Sequence, residues 1–531
     1  MMSTAAPHLP WLEPATFGLE TFDVPTALDR RAAEFGDRTM MVIGDTPVTF
    51  AQMREHARAA AKVLLELGVQ RGDTVALFAA TCPEWVYFWL GAAYVGAVTA
   101  TVNIANKGDF LAHALRLARA KVVITDTDRE PRLTEIADRT DPLTKFVVLD
   151  GSLTHDAARL PETPLSQPGS GDDIGVLFFT SGTTGPSKAV ATTWPYLFTA
   201  AAAMADAWQL AAGEVLWSAM PLFHLSAAPM VLTPLLLGST TVLRAAFHPA
   251  TMLDDIRACN AVGFAGAGAM VSMLYNQPPA PSDADNPLRF ISAAPIDAAN
   301  YRRIEERYRV RIVTVYGLTE AFPITVKKVS EPGVPGTSGR LNPAFEVRLV
   351  DADGNPVPPG VAGEITCRAR FPHVMSTGYV TSGSGRVEPH PEWFRTGDMA
   401  KLDDDGNLTF TDRVKDSLRR RGENVSSVEV ESTVVQHPAV LEAAVIGVPS
   451  ELGEDDILAV VVLRLGATLD CADLLDFCSA RMPYFCVPRY VEVVDELPKN
   501  AVGRVRKDLL RARGLTAAAW DREAHGYVLT R

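Results

Sequence analysis

Residues 180–188 read TSGTTGPSK and follow an apolar run, GVLFF. Glycines at 182 and 185 let backbone amides come close to an anion. Thr180, Ser181, Thr183 and Thr184 add hydroxyl donors, and Lys188 adds a mobile positive charge. A loop of this make-up, placed behind a buried strand, holds phosphate. The bland alternative is a flexible surface loop, and the adjoining strand and terminal lysine weigh against it. The spacing is not that of a Walker A loop, because Gly182, Gly185 and Lys188 stand three apart.

The surrounding elements must hold such a loop still. TVALFAA, KVVITD, KFVVLD, GVLFFT, STTVLRA, RFISAA and RIVTVYG read as strands, and MREHARAAAKVLLELG and AANYRRIEERYR as helices. The alternation predicts a large α/β unit with mostly parallel sheets covered by helices. WVYFWLGAAYVGAVTATV, from Trp85, is long and apolar enough to pass for a membrane span. Its change of character after Gly96 predicts a buried helix running into a buried strand instead. Beyond about residue 340 shorter strands with DADG and DDDG turns predict a small β-rich subdomain of antiparallel pairs. A basic run then begins at Arg413, ahead of a small α+β unit.

Composition narrows the class. The 531 residues are 47% hydrophobic and 21% charged, which suits a globular protein with ample core. A net charge of −13 argues against nucleic acid as a partner. Cys82, Cys259, Cys367, Cys471, Cys478 and Cys486 form no C-x-x-C pair, so they read as reduced thiols of a cytoplasmic protein. The first residues show no basic stretch leading into an apolar one, so no signal peptide is expected.

FFTSGTTGPSKAV resembles the phosphate-loop signature of the adenylate-forming enzymes: acyl-CoA synthetases, adenylation domains and luciferases. More of that family's motifs follow in order along nearly the whole chain. PLFH, with His224, is similar to the gate between acid pocket and nucleotide. SAAP (Ala293, Ala294 and Pro295) resembles the loop that packs on adenine. In VYGLTE the resemblance has Tyr316 stacking on adenine beside Gly317, Thr319 touching the α-phosphate or acyl carbonyl, and Glu320 holding Mg²⁺ with Thr184. A flat ring suits a purine, and a hard carboxylate oxygen suits a hard cation. Asp398 of FRTGD and Arg413 take the ribose-binding places. Lys415 falls at the hinge, and RRGENVS, with Arg421, Gly422, Glu423 and Asn424, is especially like the loop of carnitine-type CoA ligases that lines the pantetheine tunnel.

The resemblance implies an N-terminal domain over 1–412, a hinge at 413–415 and a mobile C-terminal lid over 416–531. It implies ATP, Mg²⁺ and coenzyme A as cofactors. A carboxylic acid would be converted to an acyl-AMP and then a thioester. The stretches VGFAGAGAM (262–270) and LSAAP, after His224, are small and uncharged, with Gly266, Gly268, Ala294 and Gly317 as pocket candidates. They predict a bulky apolar acid, polycyclic, terpenoid or aryl, as in a diterpenoid-antibiotic type of pathway; helix packing is the alternative use of such residues. One position departs from the family. Where a lysine completes the adenylation site, LPKNAVGRVRK has Arg504. The departure predicts a thioester-forming enzyme impaired in adenylation, fed by a partner ligase. The alternatives are a full two-step synthetase, an adenylation enzyme loading a separate carrier protein, a luciferase-like oxygenase, and a non-catalytic adenylate binder. A monomer or a homodimer fits equally.

Overall fold

The computed structural model describes residues 7–104, 106, 108–141, 144–151, 171–180, 188–381, 385–413, 417–420, 423–450, 455–482, 486–500 and 503–529. The chain divides into two compact units: Met1–Val347 with Cys367–Phe394, and Arg348–Thr366 with Arg395–Arg531.

Two large sheets build the first unit. One runs, in spatial order, Arg311–Val313, Phe290–Ser292, Gly263–Ala265, Val215–Ser218, Thr240–Leu243, Thr39–Ile43 and Thr46–Thr49. All its pairings are parallel except the last, at the edge. The other runs Val387–Pro389, Gly378–Val380, Lys188–Thr193, Ile174–Thr180, Val98–Thr101, Thr74–Phe78, Ala120–Asp126 and Lys145–Leu149. Here the last five strands are parallel, and Lys188–Thr193 turns back antiparallel on Ile174–Thr180. Every strand named from sequence is found, with RIVTVYG divided into Arg311–Val313 and Val315–Tyr316. The strand Lys188–Thr193 was not anticipated.

Local chemistry explains the element ends. Thr49 and Gln52 bond each other's backbone amides at 3.2 and 2.9 Å, a capping box that starts the helix Phe50–Glu66. The apolar run from Trp85 resolves as expected. Pro83 opens a helix that ends at Val95, Gly96 turns left-handed (φ +73°), and Val98–Thr101 continues as a buried strand. Gly91 lets this helix approach Phe50–Glu66, since a Cβ there would lie 2.6 Å from the Ala57 carbonyl. Tyr87 stacks on His56 across that contact (4.5 Å between rings), while Trp85 and Trp89, almost fully buried, pack together, Trp89 also against Trp194. Fully burying a large apolar side chain contributes about 1.5–3 kcal/mol. Among the described residues no helix is long and apolar enough to cross a membrane.

The second unit contains the expected DDDG hairpin, Phe394–Leu402 against Leu408–Arg413. It also holds a sheet ordered Val440–Pro449, Asp455–Leu463, Tyr490–Val493 and Trp520–Asp521. Val445, Ile457, Ala459, Leu474 and Val491 form its core. The segment 413–415, expected as a pivot, lies within this unit, and residues 414–416 fall outside the described residues.

Candidate active site

Four of the motifs leave the carboxyl ends of adjacent parallel strands. His224 follows Val215–Ser218, Gly266 and Gly268 follow Gly263–Ala265, Ala293–Pro295 follow Phe290–Ser292, and Tyr316–Glu320 follow Arg311–Val313. That edge is where open α/β sheets bind ligands. Backbone bonds tie neighbouring loops together: the Gly266 amide donates to Ser292 O (2.9 Å), the Gly268 amide to Ala294 O (3.2 Å), and the Ala293 amide to Val313 O (3.1 Å).

These bonds correct one expectation. Gly266 and Gly268 do not leave empty volume. A Cβ on Gly268 would lie 1.9 Å from Pro295 O, and one on Gly266 would lie 2.6 Å from the Phe264 ring. Gly268 is glycine because its loop touches the 293–295 loop, and Gly266 because the side chains of Phe264 and Met270 close over it. Gly317 is similarly crowded, by Phe322 and Ala321 O at 2.8 and 2.9 Å.

The Thr319–Glu320 turn is clamped from three sides. The fully buried Tyr196 donates its hydroxyl to Thr319 O (3.0 Å). The Ser376 amide donates to Glu320 O (2.8 Å). The Tyr379 hydroxyl donates to Glu320 Oε1 (2.6 Å). Burial first, and the Glu320 charge second, push both phenols well above their ordinary range, so they remain donors. Glu320 is 6% exposed, and its Oε2 accepts no hydrogen bond among the described residues. A carboxylate oxygen left open on an otherwise buried side chain fits a hard divalent cation. The described residues gather no group of three carboxylates, histidines or thiols. A cation held here would take further hard oxygen ligands.

Lys188 opens its strand, opposite Thr180 in the register, and its Nζ lies over the Tyr379 ring, 4.8 Å from the centroid. His224 is partly buried beside Phe223 (4.6 Å between rings). Burial pushes its pKa down to about 4, and its Nε2 is without a partner among the described residues. A neutral imidazole at this edge is an apolar-bodied wall with one polar atom to offer. Ser181, Gly182, Thr183, Thr184 and Gly185 lie outside the described residues, as do Lys415, Arg421 and Gly422.

In the second unit Asp398 and Arg413 are direct partners across the antiparallel hairpin. Asp398 is 3% exposed. Glu423 and Asn424 lie on a short strand, Glu423–Ser426, paired with Ser417–Arg420. Arg504 sits exposed in a tight turn. Its amide donates to Asn500 Oδ1 (2.9 Å), and Gly503 beside it is left-handed (φ +78°). The two nearby lysines are engaged elsewhere: Lys499 with Glu442 (2.6 Å), and Lys507 with Glu431 (2.9 Å) and Ser427 Oγ (2.6 Å).

The family model of the AMP-binding enzymes matches residues 28–380, and that of the AMP-binding enzyme C-terminal domain matches 429–504. The chain belongs to the AMP-binding enzyme family. Its relatives place it in the acyl-CoA ligase branch. It is 30% identical over 507 residues to the crotonobetaine/carnitine–CoA ligase of Salmonella paratyphi C, covering 91% of this chain and 98% of that one. The anthranilate CoA ligase AuaEII, solved with anthranoyl-AMP, superposes with a TM-score of 0.84 at 26% identity, over 94% of this chain and 98% of that one. ATP-bound MatB from Rhodopseudomonas palustris gives 0.82 at 27%, over 92% and 98%.

Tyr196, Ser376 and Tyr379 went unnoticed in the sequence. Nothing in WPYLF or STGYV marks them. Their roles arise only when a helix and a distant strand are brought against the VYGLTE turn.

Proposed function

We propose that this AMP-binding enzyme makes an acyl-CoA thioester from an apolar carboxylic acid, and that it is competent in thioester formation but slow to adenylate free acid. The observation that carries the reading is the convergence of His224, Ala293–Pro295 and Tyr316–Glu320 on one carboxyl edge of a parallel sheet.

Adenine would lie at that edge, against Ala293–Pro295 and Tyr316, and in the second unit Asp398 and Arg413 are the proposed ribose ligands. Thr180–Gly185 and Lys188 would cradle the phosphates. Mg²⁺, held by Glu320 and Thr184, would neutralise phosphate charge. The acid would rest against His224 and the segments 225–229 and 262–270, which carry no charged residue. The protein then does little covalent work. It orients the carboxylate on the α-phosphorus, and afterwards the CoA thiol on the acyl carbon, and it stabilises the charge that develops. The lid would turn about 413–415 between the steps, bringing Gly422–Asn424 to the pantetheine arm.

Two features support an impaired first step. Arg504 keeps the charge of the family's lysine but replaces a compact ammonium with a wide planar fork. Lys499 and Lys507 are held in ion pairs and are not spare substitutes. Turnover of an acid panel with ATP and CoA tests the reading. AMP and acyl-CoA should form with aryl and other apolar acids, and preferential use of zwitterionic acids would contradict the assignment of the acid.

A further inference from the structure

Tyr379 has a position that the catalytic reading leaves unexplained. Its strand, Gly378–Val380, pairs antiparallel with Lys188–Thr193, with Tyr379 opposite Val190. Lys188 stands two residues from Val190. It therefore projects from the same face of the sheet, as a diagonal neighbour of Tyr379. The ammonium over the ring follows from this register. The hydroxyl of the same ring reaches Glu320 Oε1 at 2.6 Å. The ring is braced from a third side by His390, edge-on at 5.1 Å, whose Nε2 bonds Ser376 Oγ at 2.8 Å. Ser376 in turn binds the Glu320 backbone. One side chain thus touches both charged groups expected to meet the phosphates.

We propose that Tyr379 is the positioning residue of the adenylation step. Its hydroxyl occupies Oε1 so that Oε2 of Glu320 faces the cation and the phosphates, and its ring seats the Lys188 ammonium beside that carboxylate. The proposal rests on the ligase reading above. A carboxylate with both oxygens free rotates about its last bond and presents either one. Committing one oxygen to the half-buried Tyr379 phenol removes that freedom before the nucleotide arrives. Its contacts are with Glu320 and Lys188, and its effect passes through them.

The test is an equilibrium one. Mn²⁺ serves as the probe, its binding to the full-length protein with ATP and without acid followed by electron paramagnetic resonance. Tyr379→Phe keeps the ring and loses the hydroxyl. It should weaken Mn²⁺ about 10- to 100-fold, the usual effect of removing the group that orients a metal ligand. In a Glu320→Gln background the same change should add nothing, since the two act as one unit. Tyr379→Leu removes the ring as well. It should further weaken ATP measured with the metal chelated, by about two- to fivefold, the scale of an exposed cation–π contact. Unchanged Mn²⁺ affinity in Tyr379→Phe, or a full additional loss in the Glu320→Gln background, overturns the role of Tyr379 while leaving the ligase reading intact. A wild-type protein that binds no ATP at all overturns both.

Discussion

An arginine and a lysine carry the same charge and occupy space differently. In an exposed turn the exchange costs nothing, and Arg504 sits in such a turn. The cost is proposed to appear only when that turn serves a narrow slot against a transferring phosphoryl group, where one mispositioned electrostatic donor lowers the rate about 10²–10³-fold. His224 poses a separate question of charge. Burial pushes its pKa down to about 4 from an ordinary 6.5. Below pH 6.5 the unfolded chain takes up a proton that the folded chain refuses until near pH 4. Stability is therefore lost as pH falls through that window. His390, also pushed down to about 4 by burial, acts in the same direction. His224→Leu should flatten the decline in melting temperature between pH 6.5 and 4. An unchanged pH profile would show that the imidazole is solvated.

Elements explain which parts of the site could be anticipated. The strand-to-loop transitions were legible because apolar β-branched runs end abruptly in polar or glycine-rich letters, as in RFISAAP and RIVTVYGLTE. Their convergence was not, because strand order is a property of the sheet. The glycines of VGFAGAGAM were legible as small, but not as required. Only the fold shows that Gly268 is pressed against Pro295 O. Gly268→Ala should therefore cost about 1–3 kcal/mol, the usual penalty of overpacking. Chemical denaturation measures it; a neutral result would mean that the 293–295 loop yields freely. The strand Lys188–Thr193 escaped notice because AVATT is short and follows directly on a loop signature. With it went the register that joins Lys188 to Tyr379.

At the scale of the whole molecule, two family models match the chain on either side of residues 381–428, and the proposed pivot at 413–415 lies in that interval. If the lid must turn between the two half-reactions, a proline at the pivot should hold it in one orientation, because proline fixes φ. Lys415→Pro should then lose overall turnover of acid, ATP and CoA while retaining one half-reaction. Wild-type turnover by that variant would place the pivot elsewhere. The central claim is that the chain makes thioesters well and adenylates poorly. It is tested most directly by measuring acid-dependent pyrophosphate exchange beside CoA transfer from a synthetic acyl-AMP, for the wild type and for Arg504→Lys. The account predicts weak exchange and brisk CoA transfer in the wild type, with exchange rising about 10²–10³-fold in the lysine variant and transfer unaltered. Brisk exchange by the wild type, unimproved by lysine, would contradict it and leave a full two-step synthetase.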